Sequence, residues 1–94
     1  MIIKPADFRQ KSGEDSLTSY QKASESPSDH QFCKVCGVRT FDRGHLDAIG
    51  GDYVAIFLSS LDDLDSDELA AAPIRYFDGR NANWMNPPKD TRNL

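Results

Sequence analysis

Apolar and polar residues alternate in two short stretches, Leu17-Thr18-Ser19-Tyr20-Gln21 and Val38-Arg39-Thr40-Phe41. A period of two predicts a half-buried strand in each. Tyr53-Val54-Ala55-Ile56-Phe57-Leu58 is apolar throughout and predicts the strongest strand, buried on both faces. Ile74-Arg75-Tyr76-Phe77 predicts a last strand. Met1 to Phe8 predicts an extended opening, because Ile2 and Ile3 are β-branched and Pro5 disfavours helix at Lys4. One short helix is expected after Leu61-Asp62-Asp63-Leu64. Asp65 or Ser66 can cap it, Asp65 and Glu68 have capping-box spacing, and Pro73 ends it after Ala70-Ala71-Ala72. Polar, glycine-rich or proline-broken stretches fill the gaps. They are a turn at Ser12-Gly13-Glu14-Asp15, a loop from Ala23 to Asp29, and a glycine-rich loop from Gly44 to Asp52. A turn at Asp78-Gly79 leads to an irregular tail from Asn81 to Leu94, anchored by Trp84. The pattern describes a mainly β chain with one short helix, no internal repeat and no domain boundary.

Size and charge narrow the function classes. A chain of 94 residues makes one small domain. Such a domain buries only about two-thirds of its unfolded surface, so a metal or disulfide often staples it. The net charge is −4 and the arginines are scattered, which argues against a nucleic-acid partner. No apolar run approaches the roughly 20 residues of a membrane span, so no membrane partner is expected. Met1-Ile2-Ile3-Lys4-Pro5 passes into polar sequence without a signal peptide, and a cytoplasmic location is expected.

The chemistry concentrates in Phe32-Cys33-Lys34-Val35-Cys36-Gly37-Val38, which holds both cysteines of the chain. In the cytoplasm this spacing points to metal or redox use rather than to a structural disulfide. Three readings stand: a zinc knuckle, a thioredoxin-type redox pair, or two plain buried thiols. A redox pair needs its first cysteine at a helix N-terminus, whereas Gly37 and the alternation from Val38 to Phe41 favour a strand. A structural zinc takes four ligands, so Cys33 and Cys36 are half of a set. His30 and His45 are candidates for the other half, set against their commoner role as surface loop histidines. Asp63, Asp65 and Asp67 alternate like the start of a calcium loop. The match fails because Glu68 stands where glycine is needed and Ile74 where glutamate is needed. The aromatics Tyr53, Phe57, Tyr76, Phe77 and Trp84 read as core before they read as a pocket. Arg43 and Arg80 are candidate carboxylate contacts, set against the commoner surface arginine.

Several stretches in order resemble one family. They are Lys4-Pro5-Ala6-Asp7-Phe8, Ser12-Gly13-Glu14-Asp15, the cysteine stretch Phe32 to Val38, Arg43-Gly44-His45 and Gly50-Gly51-Asp52-Tyr53-Val54. Leu61-Asp62-Asp63, Glu68-Leu69-Ala70-Ala71-Ala72-Pro73 and Asp78-Gly79-Arg80 with Trp84 follow. From Ile3 to Leu94 the chain resembles the C-terminal part of the glutathione-dependent formaldehyde-activating enzyme (GFA) family, which includes centromere protein V. The resemblance implies a mainly β, zinc-containing, Mss4-like (GFA-type) fold with one short helix, N-terminally truncated. Residues 1–94 would then be a single partial domain lacking the N-terminal cysteine-rich segment. It implies a structural zinc on four cysteines, of which Cys33 and Cys36 are one pair. It also implies a three-cysteine catalytic cluster, which the family places before the segment resembling Met1 to Phe8.

The family's activity is carbon–sulfur lyase chemistry, joining formaldehyde to glutathione as S-(hydroxymethyl)glutathione. The expected substrate is therefore a small thiol or aldehyde. Only Cys33 and Cys36 carry over, as metal ligands, and no catalytic position carries over. Whether the chain is an enzyme stays open at this point. The missing segment fits a mis-assigned start, a broken gene or a split partner chain. The rival reading is a non-enzymatic zinc-dependent assembly module, in which two chains close one four-cysteine site as a homodimer. A third is a poorly folded remnant.

Overall fold

A computed structural model describes residues 1–22 and 27–94. The chain forms two compact units, Met1–Asp62 and Asp63–Leu94. The first is a five-stranded antiparallel sheet. Its strands are β1 (Ile2–Ile3), β2 (Leu17–Tyr20), β3 (Ser28–Cys33), β4 (Arg39–Leu46) and β5 (Gly51–Ile56). Their spatial order is β1-β5-β4-β3-β2. Strands β2 to β5 follow one another as neighbours, and β1 adds to the open side of β5. The second unit holds one helix, α1 (Ser66–Ala71). Among the described residues no helix is long and apolar enough to cross a membrane. The mainly β fold with one short helix is as the pattern predicts.

Register decides which side chains share a face. Phe41 pairs with Ile56, and Val54 with Arg43 and Ile3, so these residues line one side of the sheet. Phe41 and Val54 are the buried hydrophobics of that side, with Val54 fully buried. Phe8 leaves the short 3₁₀ turn at Pro5–Asp7 and covers Phe41, ring centroids 4.8 Å apart. The other side carries Tyr20, His30 and Asp42, aligned across β2, β3 and β4.

A bulge lies between these two regions of β4. Gln31 pairs with Phe41 but Phe32 pairs with Arg39, leaving Thr40 as an extra residue. The extra residue moves Arg39 onto the face of Asp42, although three positions along a regular strand would separate them. The Thr40 carbonyl is not wasted: it accepts from the Phe57 amide at 3.0 Å and the Ser60 hydroxyl at 3.2 Å.

Several expected boundaries move. The expected loop from Gly44 to Asp52 is largely strand, since β4 runs through Gly44, His45 and Leu46 and β5 begins at Gly51. Gly44 is read wrongly as a loop residue because its lack of a side chain serves another purpose. The Tyr53 ring lies over it, and a Cβ there would stand 2.5 Å from that ring. The Tyr53 hydroxyl is 2.9 Å from the Ser28 hydroxyl. Ser28 and Asp29 belong to β3, not to the expected loop, whose residues 23–26 lie outside the described residues. Strand β5 spans Gly51–Ile56 rather than Tyr53 to Leu58, and only Val54 of it is buried. Tyr53, Ala55 and Ile56 are only half-buried, so the run is not buried on both sides.

Ile74 to Phe77 is not a strand. Its apolar residues lack a ladder partner, Ile74 is 72% exposed, and the nearest pairing is a single bridge between Asp78 and Asn83. The helix start is as expected: the Asp65 carboxylate accepts from the Glu68 amide at 2.8 Å. Ala72 ends the helix just before Pro73.

Candidate functional site

The cysteine stretch is a tight turn joining β3 to β4. Cys33 closes β3, its amide donating to the Val38 carbonyl at 2.9 Å. The Gly37 amide donates back to the Cys33 carbonyl at 2.8 Å. Gly37 takes φ = 77°, a left-handed conformation that a side chain would strain. The Lys34 amide donates to the Ser16 carbonyl at 2.9 Å, tying the turn to the start of β2. No helix begins at the pair; the chain runs on into β4.

Both thiols are free, Cys33 half-buried and Cys36 exposed. The turn aims polar groups at the Cys33 sulfur. The Cys36 amide, then the Val35 amide and the Cys36 thiol, hold the Cys33 thiol below its ordinary value of 9.0, with a lesser push from the Gly37 amide. Burial acts the other way. Amide donors around a sulfur favour thiolate, the form that ligates metal. The donor set suits zinc, which accepts thiolate readily. It is also incomplete: among the described residues no group of three or more His, Cys, Asp or Glu is placed to hold a metal. Among the described residues the two thiols stand without a third such group beside them.

Neither histidine groups with the two thiols among the described residues. His30 is not in a loop but on β3, paired across the sheet with Tyr20 and Asp42. Its Nδ1 lies 3.0 Å from Asp42 Oδ2, and the Arg39 guanidinium spans both residues. Arg39 also lies over the Phe57 ring at 4.5 Å, while Tyr20 and His30 stack with centroids 6.4 Å apart. Asp42 is the buried charged residue of the sheet, and the cation and imidazole beside it offset its desolvation. Sequence reasoning missed this cluster, because only the bulge at Thr40 brings Arg39 and Asp42 together.

His45 sits on β4 rather than in a loop, and its side chain is exposed. Its Nδ1 is 2.7 Å from Asp52 Oδ1 and its Nε2 is 2.8 Å from Asp47 Oδ1. Asp52 first, then Asp47, raise the imidazole above its ordinary value. Of the acidic triplet, Asp65 caps α1. Trp84 is 54% exposed and packs within its own unit against Gly79.

A five-stranded antiparallel sheet with a two-thiol turn closing one strand defines a small β domain. The family model for glutathione-dependent formaldehyde-activating enzyme matches residues 1–77. The chain belongs to that family. The match covers the sheet, the cysteine turn and the helix, and stops before Asp78-Gly79-Arg80 and Trp84. No curated protein and no solved structure matches the chain.

Proposed function

We propose that this chain is a zinc-binding GFA-type domain in which Cys33 and Cys36 are two of the four ligands of a structural zinc. The observation that carries this reading is the turn itself: two sulfurs on one glycine-closed loop, with backbone amides directed at Cys33. When bound, the metal would cross-link the β3–β4 turn to whatever supplies the remaining ligands. The family's carbon–sulfur lyase activity, of S-(hydroxymethyl)glutathione synthase type, is impaired in these residues. A catalytic zinc needs its own ligands and an open position. The chain's two cysteines are both committed to the structural turn. A small thiol or aldehyde remains the substrate class that family membership suggests. Use of cysteine as a ligand rather than in a disulfide fits a cytoplasmic protein.

A second reading has its own support. Strand β2 lies at one edge of the sheet, whose buried hydrophobics among the described residues are Phe41 and Val54. An edge strand suits pairing with another chain. In this reading the protein is a non-enzymatic assembly module, and a second copy brings its own Cys33 and Cys36 to complete the zinc site.

Zinc content, solution mass and condensation of formaldehyde with glutathione, taken on one sample, separate these readings. The assembly module predicts one zinc per two chains in a dimer, no turnover, and loss of both metal and dimer in Cys36→Ser. Turnover at rates ordinary for an enzyme would contradict the impaired-lyase reading. A metal-free monomer of unchanged stability, in excess zinc, would remove the assembly module.

A further inference from the structure

Zinc and the cysteine turn do not match in number. A structural zinc takes four ligands. The turn carries two thiols, and among the described residues no third His, Cys, Asp or Glu groups with them. For soft donors the count extends to the whole chain. It has two cysteines, two histidines and two methionines, and residues 23–26 include none of them. His30 is engaged by Asp42 and Arg39, and His45 lies between Asp52 and Asp47. Met1 precedes β1, at the other edge of the sheet from β2, and Met85 belongs to the second unit. The turn therefore offers two sulfurs and nothing else soft.

Those two sulfurs are disposed to share one ion. The Cys33 and Cys36 thiols hydrogen-bond to each other, and the amides of Cys36, Val35 and Gly37 are directed at Cys33. Such amides offset the negative charge of thiolates. The left-handed Gly37 closes the turn around the pair. Cys36 is exposed and Val35 is 82% exposed, so the pair is open to an arriving ion.

The ion's own preference says what such a pair can hold. Copper(I) is soft, and thiolates select it. Unlike zinc, it is satisfied by two sulfurs, one on either side. Calcium and magnesium want oxygen ligands and are poorly matched by a thiolate pair.

We propose that Cys33 and Cys36 of a single chain bind one copper(I) ion between their two sulfurs. The proposal rests on the zinc reading only in taking both sulfurs as metal ligands. It needs no second copy and no further ligand. Two S–Cu bonds form, two thiol protons pass to solvent, and the copper stays in the same oxidation state.

The probe is copper(I) as its coloured bicinchoninate complex, titrated without air into the full chain. The expected result is loss of colour ending at one copper per monomeric chain, with two sulfur neighbours by X-ray absorption at the copper edge. Cys33→Ser and Cys36→Ser should each abolish uptake, while His45→Asn leaves the end point unchanged. Cys36 is exposed, and an unchanged amide spectrum away from the turn in Cys36→Ser shows that the sheet is intact. Copper retained in Cys36→Ser overturns the proposal. So does a cluster that bridges chains with three or more sulfurs around each copper. Return of the copper to excess glutathione, the mark of adventitious thiol binding, overturns it too. The zinc reading is judged separately. Zinc taken up on sulfur while copper(I) is refused overturns this inference alone, and copper held without zinc uptake counts only against the zinc reading.

Discussion

In Met1–Asp62 hydrogen bonds join residues far apart in the chain. The Met1 ammonium donates to the Ile56 carbonyl, Ser28 meets Tyr53, and the Ser60 hydroxyl donates to the Thr40 carbonyl. In Asp63–Leu94 the side-chain bonds are local. Asp65 caps Glu68, Asp78 holds Asn81, Asn83 accepts from Met85 and Asn86, and Asp90 grips Arg92. The first unit is therefore specified by register, the second by caps and turns. A register-built sheet stands or falls as a whole, whereas caps and turns open singly. Evolution has put the candidate metal turn in the unit whose geometry is held from a distance. A site needs that rigidity to hold its groups in place.

The contrast can be broken from its strong side first. Phe41→Ala removes the ring that packs under Phe8 and leaves a cavity against Val54. It should cost the sheet about 3 kcal/mol in denaturant unfolding followed by sheet signals. A cost below about 1 kcal/mol would mean that the sheet is not held by this core. Gly44→Ala is the next test. Its methyl must displace the Tyr53 ring and strain the contact with Ser28. A loss of about 1–2 kcal/mol is expected by the same measurement, with Tyr53→Phe in the same background showing whether the hydroxyl contact matters.

Asp65→Ala sharpens the other side. It should cost about 1 kcal/mol at most and show only as faster amide exchange within Ser66–Ala71. Slower or unchanged exchange there would deny the cap its role. The smallest effect belongs to His45, which is exposed. Its imidazole is raised by Asp52 and Asp47, so its titration in the folded chain should fall above 6.5. Any stability it adds is complete below the unfolded value and is lost as pH rises through the folded one. Asp52→Asn should bring the NMR titration of His45 back toward its ordinary value, and an unmoved titration would show that Asp52 is not the cause.

Short-range features were legible in the sequence, and long-range ones were not. Leu17–Tyr20 reads as a strand and is one, Asp65 has the spacing of a cap and is one, and Cys33 to Gly37 reads as a turn and is one. Each depends on a handful of neighbouring residues. Gly44 misled because glycine in a loop and glycine under a tyrosine ring look alike without knowing the partner strand. Ile74 to Phe77 misled for the opposite reason: it has strand-like residues, but a strand exists only with a partner. The Arg39–Asp42–His30 cluster depends on one extra residue in β4, and no local pattern marks it. Arg43 could be named from sequence as a carboxylate contact, yet its place over the Phe8 and Phe41 rings required the register.

The zinc reading is tested most directly by X-ray absorption at the zinc edge of the metal-loaded protein, counting sulfur neighbours. The account predicts at least two sulfurs per zinc, and four where a second copy completes the site, the count falling when Cys36 is replaced by serine. Zinc bound by nitrogen and oxygen alone, with a spectrum unchanged in Cys36→Ser, would contradict it.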